Sequence, residues 1–108
     1  MTTETATATE IKVIPKIKPK SDIPEPPRYN VIYINDEVTT MEFVVETLVI
    51  IFNYTRLAAE DMAQRISQDG SSVVATLPFE MAEQKGVEVT LLARNHGFPL
   101  VVKLEPAS

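Results

Sequence analysis

The segment from Tyr29 to Phe43, YNVIYINDEVTTMEF, constrains the fold and function of this chain more than any other. Its first six residues are aromatic or β-branched apart from one Asn, which is typical of a strand. Polar and acidic residues follow at Asn35–Glu37, and Thr39 with Glu42 forms a capping box that predicts the start of a helix. Polar side chains are therefore expected beside the first turn of an apolar helix. Such a site suits a ligand with one cationic and one apolar end, although the same residues are also typical of an ordinary turn.

The composition predicts one small domain without a catalytic or metal centre. A chain of 108 residues with 44% hydrophobic residues can bury one core. It has no cysteine and a single histidine, which excludes disulfides, thiolate catalysis, cysteine-based zinc sites and multi-histidine metal sites. The adjacent acids at Asp36-Glu37 and Glu60-Asp61 come without a nucleophile or histidine. We therefore predict that the protein is not an enzyme and uses no metal or cofactor.

Charge and hydropathy argue against nucleic acid and membrane partners. Residues 1–27 have no net charge and residues 28–108 have a net charge of −5, so the core lacks the basic character of a nucleic-acid-binding surface. No apolar run approaches the ~20 residues that span a membrane. The N-terminus lacks the basic start and apolar stretch of a signal peptide, and its acidic, Arg-free composition does not fit a transit peptide. These features predict a cytoplasmic protein of a bacterial-type cytosol rather than of the plastid stroma.

Residues 1–27 are predicted to form a disordered extension ahead of a core domain at residues 28–108. The extension contains five of the eight prolines, and each proline removes a backbone donor and biases its predecessor toward extended conformations. Four apolar residues, Ile11, Val13, Ile14 and Ile17, are unusual for a simple spacer. A partner-binding segment and mere local stickiness are both compatible with them.

The core domain is predicted to follow the order β-α-α-β-α-β. Its elements are indicated by apolar residues at helical spacing, by the cap residues Thr55 and Gly70, and by Pro78 at the start of the third helix. The last strand alternates apolar and polar residues, which indicates that one of its faces is buried. The predicted ranges are 29–34, 39–52, 56–68, 72–77, 78–95 and 100–105.

Four pieces of the core domain, in order and at matching spacing, resemble the ClpS family. These adaptors select substrates with destabilising N-terminal residues, called N-degrons, for Clp-type AAA+ unfoldases. The pieces are INDEVTTMEFV at Ile34–Val44, AEQK at Ala82–Lys85, LLAR at Leu91–Arg94 and PLVVKLE at Pro99–Glu105. The resemblance extends from about Pro27 to Glu105. It implies an α+β fold in which three helices pack on a three-stranded antiparallel sheet.

The resemblance also implies roles for individual residues. In the family, a bulky hydrophobic or aromatic N-terminal residue enters a small apolar pocket, and polar groups at the rim hold its free α-amino group. The matching residues are Asn35 and Asp36 at the amine, Thr39 and Met41 at the rim and gate, and Val44, Ile66 and Leu100 in the pocket wall. Glu80 and Lys85 match the surface that docks on the N-terminal domain of the unfoldase. The implied protein is a monomer that hands its substrates to a Clp protease.

Two pocket positions depart from the family pattern. Ala63 stands where the family usually has a large apolar residue, often Met, and Ser67 stands where it has a histidine that hydrogen-bonds the amine. The two positions are four residues apart and therefore share one helix face. Altered specificity, a re-packed pocket with unchanged preference and loss of degron binding are all compatible with these departures.

Two other functions are compatible with the sequence. The β-α-α-β-α-β order is also similar to the C-terminal domain of the ribosomal stalk protein, which recruits translation factors and binds no amine. A chain that keeps the docking surface without a working pocket would instead be a regulator of the unfoldase. The Ile34-Asn35-Asp36 sequence at the strand end and the proline-rich extension favour the adaptor.

Overall fold

The computed structural model describes residues 25–107 of the chain. Most of the predicted extension at residues 1–27 lies outside these described residues, so its disorder and its boundary stay predictions. The elements are β1 (Arg28–Ile34), α1 (Met41–Phe52), α2 (Arg56–Asp69), β2 (Ser71–Pro78), α3 (Phe79–Asn95) and β3 (Val101–Pro106). This confirms the predicted order, with boundaries that differ by no more than about two residues. No helix in the described part of the chain is long and apolar enough to cross a membrane.

The three strands form an antiparallel sheet in the order β2-β1-β3, as the resemblance implied. β1 lies in the centre, and its last residue, Ile34, pairs with Ser71 at the start of β2 and with Val101 at the start of β3. The pairing with β2 skips Val74, which is the extra residue of a β-bulge. The loop that follows Ile34 therefore leaves the sheet beside the end of α2, which directly precedes β2.

Side-chain and glycine caps set the ends of the helices. Thr55 caps α2 through a hydrogen bond from the Ala58 amide, and Gly70 ends this helix with a left-handed φ of 89°, which confirms both predictions. The predicted capping box at Thr39 is wrong, because the N-cap of α1 is Thr40. The two residues are both threonines, and the hydroxyl of Thr39 is engaged elsewhere in the loop.

The core lies between the inner face of the sheet and the three helices. Its largest fully buried side chains come from every layer and include Tyr33 of β1, Leu48 of α1, Ile66 of α2, Val89 of α3 and Leu100 before β3. The hydroxyls of Tyr33 and the buried Thr47 share a hydrogen bond of 2.8 Å. Burial raises the pKa of Tyr33 well above its ordinary value, so its phenol stays protonated and paired. The apolar stripes predicted for the helices thus meet in one core that supports the loop after β1.

Candidate functional site

A cavity of about 330 Å³ lies where the loop after β1 meets the first turn of α1 and one face of α2. Eight of the nine predicted pocket residues line it, together with Glu37. The loop contributes Asn35, Asp36, Glu37 and Thr39, α1 contributes Met41 and Val44, and α2 contributes Ala63, Ile66 and Ser67. The loop residues are polar or acidic, whereas the helices contribute mostly apolar side chains. The cavity therefore has one polar side and one apolar side.

The set of residues that line the cavity differs from the predicted set at two positions. Leu100, the ninth predicted pocket residue, is 1% exposed and belongs to the hydrophobic core, and it does not line the cavity. Glu37 lines the cavity although it was not assigned to the pocket. Its place next to Asn35 and Asp36 in the polar cluster is the sequence signal that could have identified it.

The Asp36 carboxylate organises the polar side of the cavity. Its Oδ1 accepts hydrogen bonds from the backbone amides of Val38, at 2.8 Å, and Thr39, at 2.6 Å. Its Oδ2 accepts a third from the Thr39 hydroxyl at 2.8 Å. Burial alone would raise the pKa of Asp36, but these hydrogen bonds and the positive charge of Arg94 lower it below its ordinary value. The carboxylate is therefore negatively charged at neutral pH.

Asn35 joins the loop to α2. Its backbone amide donates a hydrogen bond of 2.9 Å to the carbonyl oxygen of Gly70, which ends α2. The residue is exposed and lines the cavity next to Asp36. An amide group and a carboxylate thus stand on the same polar side, and both can accept hydrogen bonds from a cationic ligand.

The apolar side of the cavity is built by α1 and α2. Val44, Ala63 and Ile66 are buried, whereas Met41, the first residue of α1, is 47% exposed. Met41 thus lines the cavity from a half-exposed position, and its role as a gate stays a prediction. Ser67 is exposed and lies one helical turn from Ala63 on the cavity face of α2. The two departures from the family pattern therefore lie side by side in one cavity.

The two predicted docking residues lie on α3 in different environments. Glu80 is exposed in the first turn of the helix. Lys85 is partly buried. Its Nζ donates a hydrogen bond to the carbonyl oxygen of Ile51 at 3.0 Å and lies 5.9 Å from the centre of the Phe52 ring. Lys85 thus satisfies a carbonyl at the C-terminal end of α1 and links α1 to α3.

The family model described as ATP-dependent Clp protease adaptor protein ClpS matches residues 24–103. The chain belongs to the ClpS family. This confirms the resemblance identified in the sequence and makes the protein an adaptor of the Clp protease. The ClpS assignment also favours this function over the ribosomal-stalk alternative.

Bacterial ClpS proteins are similar to this chain along most of their length. The Clp protease adapter protein ClpS of Wolinella succinogenes is 38% identical over 90 residues, which cover 83% of this chain and 88% of that protein. The ClpS protein of Acetivibrio thermocellus is 35% identical over 95 residues, which cover 88% of this chain and 96% of that protein. A solved structure of Agrobacterium tumefaciens ClpS2 bound to L-phenylalaninamide superposes on this chain with a TM-score of 0.75 at 32% sequence identity. The match covers 77% of this chain and 100% of the ClpS2 chain. The fold described above is therefore the ClpS fold.

Proposed function

We propose that this ClpS protein binds the destabilising N-terminal residue of a substrate in the cavity beside Asp36 and delivers the substrate to a Clp AAA+ unfoldase. The observation that carries the proposal is the two-sided cavity, with Asn35 and Asp36 on one side and Val44 and Ile66 on the other. A bulky N-terminal residue has the same two-sided character, because its charged amine and its apolar side chain leave the same Cα. L-phenylalaninamide, the ligand bound to the Agrobacterium ClpS2, also has this character.

Ordinary interaction strengths are sufficient for such binding. A carboxylate offers about four lone-pair sites, and the hydrogen bonds from Val38 and Thr39 use three of those on Asp36. A charge-assisted bond from an ammonium to the remaining site contributes ~1.5–3 kcal/mol. Removing a Leu or Phe side chain from water contributes another ~1.5–3 kcal/mol. When the free-energy cost of ordering the peptide is subtracted from a few such contributions, the remaining binding free energy corresponds to roughly micromolar affinity.

The size of the cavity fits a single side chain. Its volume of about 330 Å³ is near the lower end of the ~300–1,000 Å³ that ligand pockets span. A cavity of this size accommodates the first residue of a polypeptide and leaves the following residues outside. The polar side of the cavity, rather than its size, favours a chain end over an internal segment, because only the first residue carries a free α-amino group.

We further propose that the N-terminal domain of the unfoldase docks on α3. Glu80 is the direct contact, because its side chain is exposed in the first turn. Lys85 contributes to this surface through its bond to Ile51, which fixes the position of α3 relative to α1. The protein then acts as a monomeric adaptor that performs no chemistry itself.

Peptides that differ only in their first residue test the proposal. Fluorescently labelled peptides that begin with Phe, Tyr or Trp are expected to bind, and their N-terminally acetylated versions are expected to bind about 2 kcal/mol more weakly or not at all. Acetylation removes the positive charge and leaves the acceptors at the rim of the cavity without their ligand partner. Equal affinity for free and acetylated peptides would contradict the proposal. Binding to the unfoldase without any peptide binding would identify the regulator that lacks a working pocket.

A further inference from the structure

An apolar groove of about 260 Å³ lies between α3 and the edge strand β3. Its walls include Val87, Thr90 and Leu91 of α3 and Val102 and Leu104 of β3, with Gly86 between them. Val87 and Leu91 are 52% and 60% exposed, one helical turn apart on the same groove. Gly86 leaves room beside β3, because a Cβ at this position would lie 3.6 Å from Val102 Cγ1. Nothing in residues 25–107 covers this groove, and none of its residues lines the cavity beside Asp36.

The N-terminal end of the described chain lies close to this groove. The Ala107 amide donates to the Arg28 carbonyl oxygen at 2.9 Å, and Val31 pairs with Leu104. Leu104 of β3 is three residues before Ala107, which corresponds to about 10 Å at ~3.3 Å per residue. Arg28 therefore lies about 10 Å from the near end of the groove, and Pro26 and Pro27 before it lie against Pro78 and Glu80 at the start of α3.

The segment at residues 11–17, IKVIPKI, is chemically complementary to this surface. It supplies four apolar side chains, and the stretch from residue 11 to residue 20 contains four lysines and no acidic residue. The exposed acids of α3 are Glu80, Glu83 and Glu88, and Glu83 lines the groove. Lys85 does not offset these charges at the groove, because its Nζ bonds to the Ile51 carbonyl oxygen.

The linker is long enough to bring this segment to the groove. Seven residues, 18–24, separate Ile17 from the described part of the chain, which starts at Glu25. They span up to about 25 Å at ~3.3–3.6 Å per residue, which exceeds the ~20 Å that at most separates Glu25 from Leu104, counted as three residues to Arg28 and three along the sheet. Because the segment is tethered, its effective concentration at the groove is in the millimolar range, so a weak contact is enough to hold it there.

We propose that residues 11–17 of the same chain dock in the groove between α3 and β3. Their isoleucines and Val13 pack on Val87 and Leu91, while neighbouring lysines pair with Glu83. This intramolecular contact does not rest on the degron-binding proposal, since the groove and the cavity share no residue. It has a regulatory consequence, because a partner that covers α3 competes with the docked segment and releases the extension.

Paramagnetic relaxation in the full-length chain tests the docking directly. The chain has no cysteine, so a Thr9→Cys variant carries a nitroxide label at one site next to the segment. The amide signals of Val87, Leu91 and Val102 are expected to lose more than half of their intensity. Those of Gln64 and Gln68, which lie on α2, are expected to keep theirs. Equal attenuation of both groups, or none, would overturn the proposal.

Matched variants separate a specific contact from collisions of a tethered chain. Replacing Ile14 and Ile17 by serine should restore the groove signals, and so should Glu83→Lys, whereas Glu60→Lys on α2 should leave the attenuation unchanged. Combining Glu83→Lys with Lys12→Glu and Lys16→Glu should bring the attenuation back. A mixture of isotope-labelled chain without nitroxide and unlabelled chain with nitroxide should show no attenuation. Attenuation in that mixture would mean that a second copy occupies the groove, and the intramolecular proposal would be wrong.

Discussion

Asp36 holds Thr39 by two hydrogen bonds, one from the Thr39 amide to Oδ1 at 2.6 Å and one from its hydroxyl to Oδ2 at 2.8 Å. The two hydrogen bonds close a short turn at the polar side of the cavity, so the loop conformation does not depend on a bound ligand. The same bonds keep the carboxylate ionised at neutral pH. The residue proposed to bind the amine thus also organises the loop that presents it.

Replacing Asp36 by Asn is expected to weaken peptide binding without unfolding the protein. The amide keeps the shape and one acceptor but removes the negative charge, so binding of a Phe-starting peptide should fall about tenfold or more, or at least ~1.4 kcal/mol. Fluorescence anisotropy measures the affinity, and circular dichroism checks the fold. Glu60→Gln on α2 is the control for a change of net charge. Wild-type affinity in the Asp36 variant would show that this carboxylate does not hold the amine.

The contribution of Asp36 to stability is expected to depend on pH. Because its pKa is lower in the folded than in the unfolded chain, ionisation of Asp36 stabilises the fold at neutral pH. This contribution is fully present above the ordinary pKa of Asp and is lost as the pH falls through the lower value of the folded state. Urea unfolding of the wild type and of Asp36→Asn should therefore give a difference in the free energy of unfolding that shrinks below about pH 4. A difference that stays constant from neutral to acid pH would contradict this assignment.

Ala63 and Ser67 are expected to make the cavity prefer aromatic first residues to Leu. Ala63 leaves volume that an aromatic ring fills better than a Leu side chain, at ~0.8 kcal/mol for each methylene buried. Met41 crowds side chains branched at Cβ, so peptides that begin with Ile or Val should bind poorly. The Ala63→Met and Ser67→His double variant should recover Leu binding and tighten binding overall, as measured by anisotropy. A wild-type preference for Leu, or an unchanged double variant, would mean that these positions do not set the specificity.

Deleting residues 1–20 is expected to separate binding from delivery. The cavity is built entirely by residues of the core, so the affinity for an N-degron peptide should stay unchanged. Degradation of an N-degron substrate by the unfoldase and protease should fail, because the resemblance implies that the extension engages the unfoldase. A deletion to residue 8, which keeps the segment 11–17, is the matched control. If the substrate is still fully degraded with the longer deletion, residues 1–20 are not needed to engage the unfoldase.

Glu80 and Lys85 are expected to behave differently when they are replaced. Glu80→Gln should weaken binding of the unfoldase N-terminal domain and change the free energy of unfolding by less than about 0.5 kcal/mol, because the side chain is exposed. Lys85→Met should lower the free energy of unfolding by about 1 kcal/mol, because it leaves the Ile51 carbonyl without its partner. Titration calorimetry and urea unfolding measure the two effects. Equal stability losses in both variants would contradict the separate environments of the two residues.

The sequence predicted the order of elements because that order depends on local patterns. Apolar spacing and the caps at Thr55 and Gly70 act within one or two turns of chain, and the structure confirms them. The cap of α1 was misplaced by one residue, because Thr39 and Thr40 are chemically alike and only the contact with Asp36 distinguishes them. The eight cavity residues were reached through the family resemblance rather than through local patterns. Neither the local patterns nor the family resemblance predicted that Lys85 contacts Ile51, which lies 34 residues away.

The main-chain link between Asn35 and Gly70, a hydrogen bond of 2.9 Å, joins the loop to α2 without using any side chain. Replacements at Ala63 or Ser67 on α2 therefore leave this link unchanged. In the binding mode proposed above, Asn35 and Asp36, which hold the chain terminus, therefore keep their place when Ala63, which sets the volume left for the first side chain, is replaced. Under that proposal, a lineage of such adaptors would change its preferred first residue by a replacement at position 63 while it keeps its hold on the terminus.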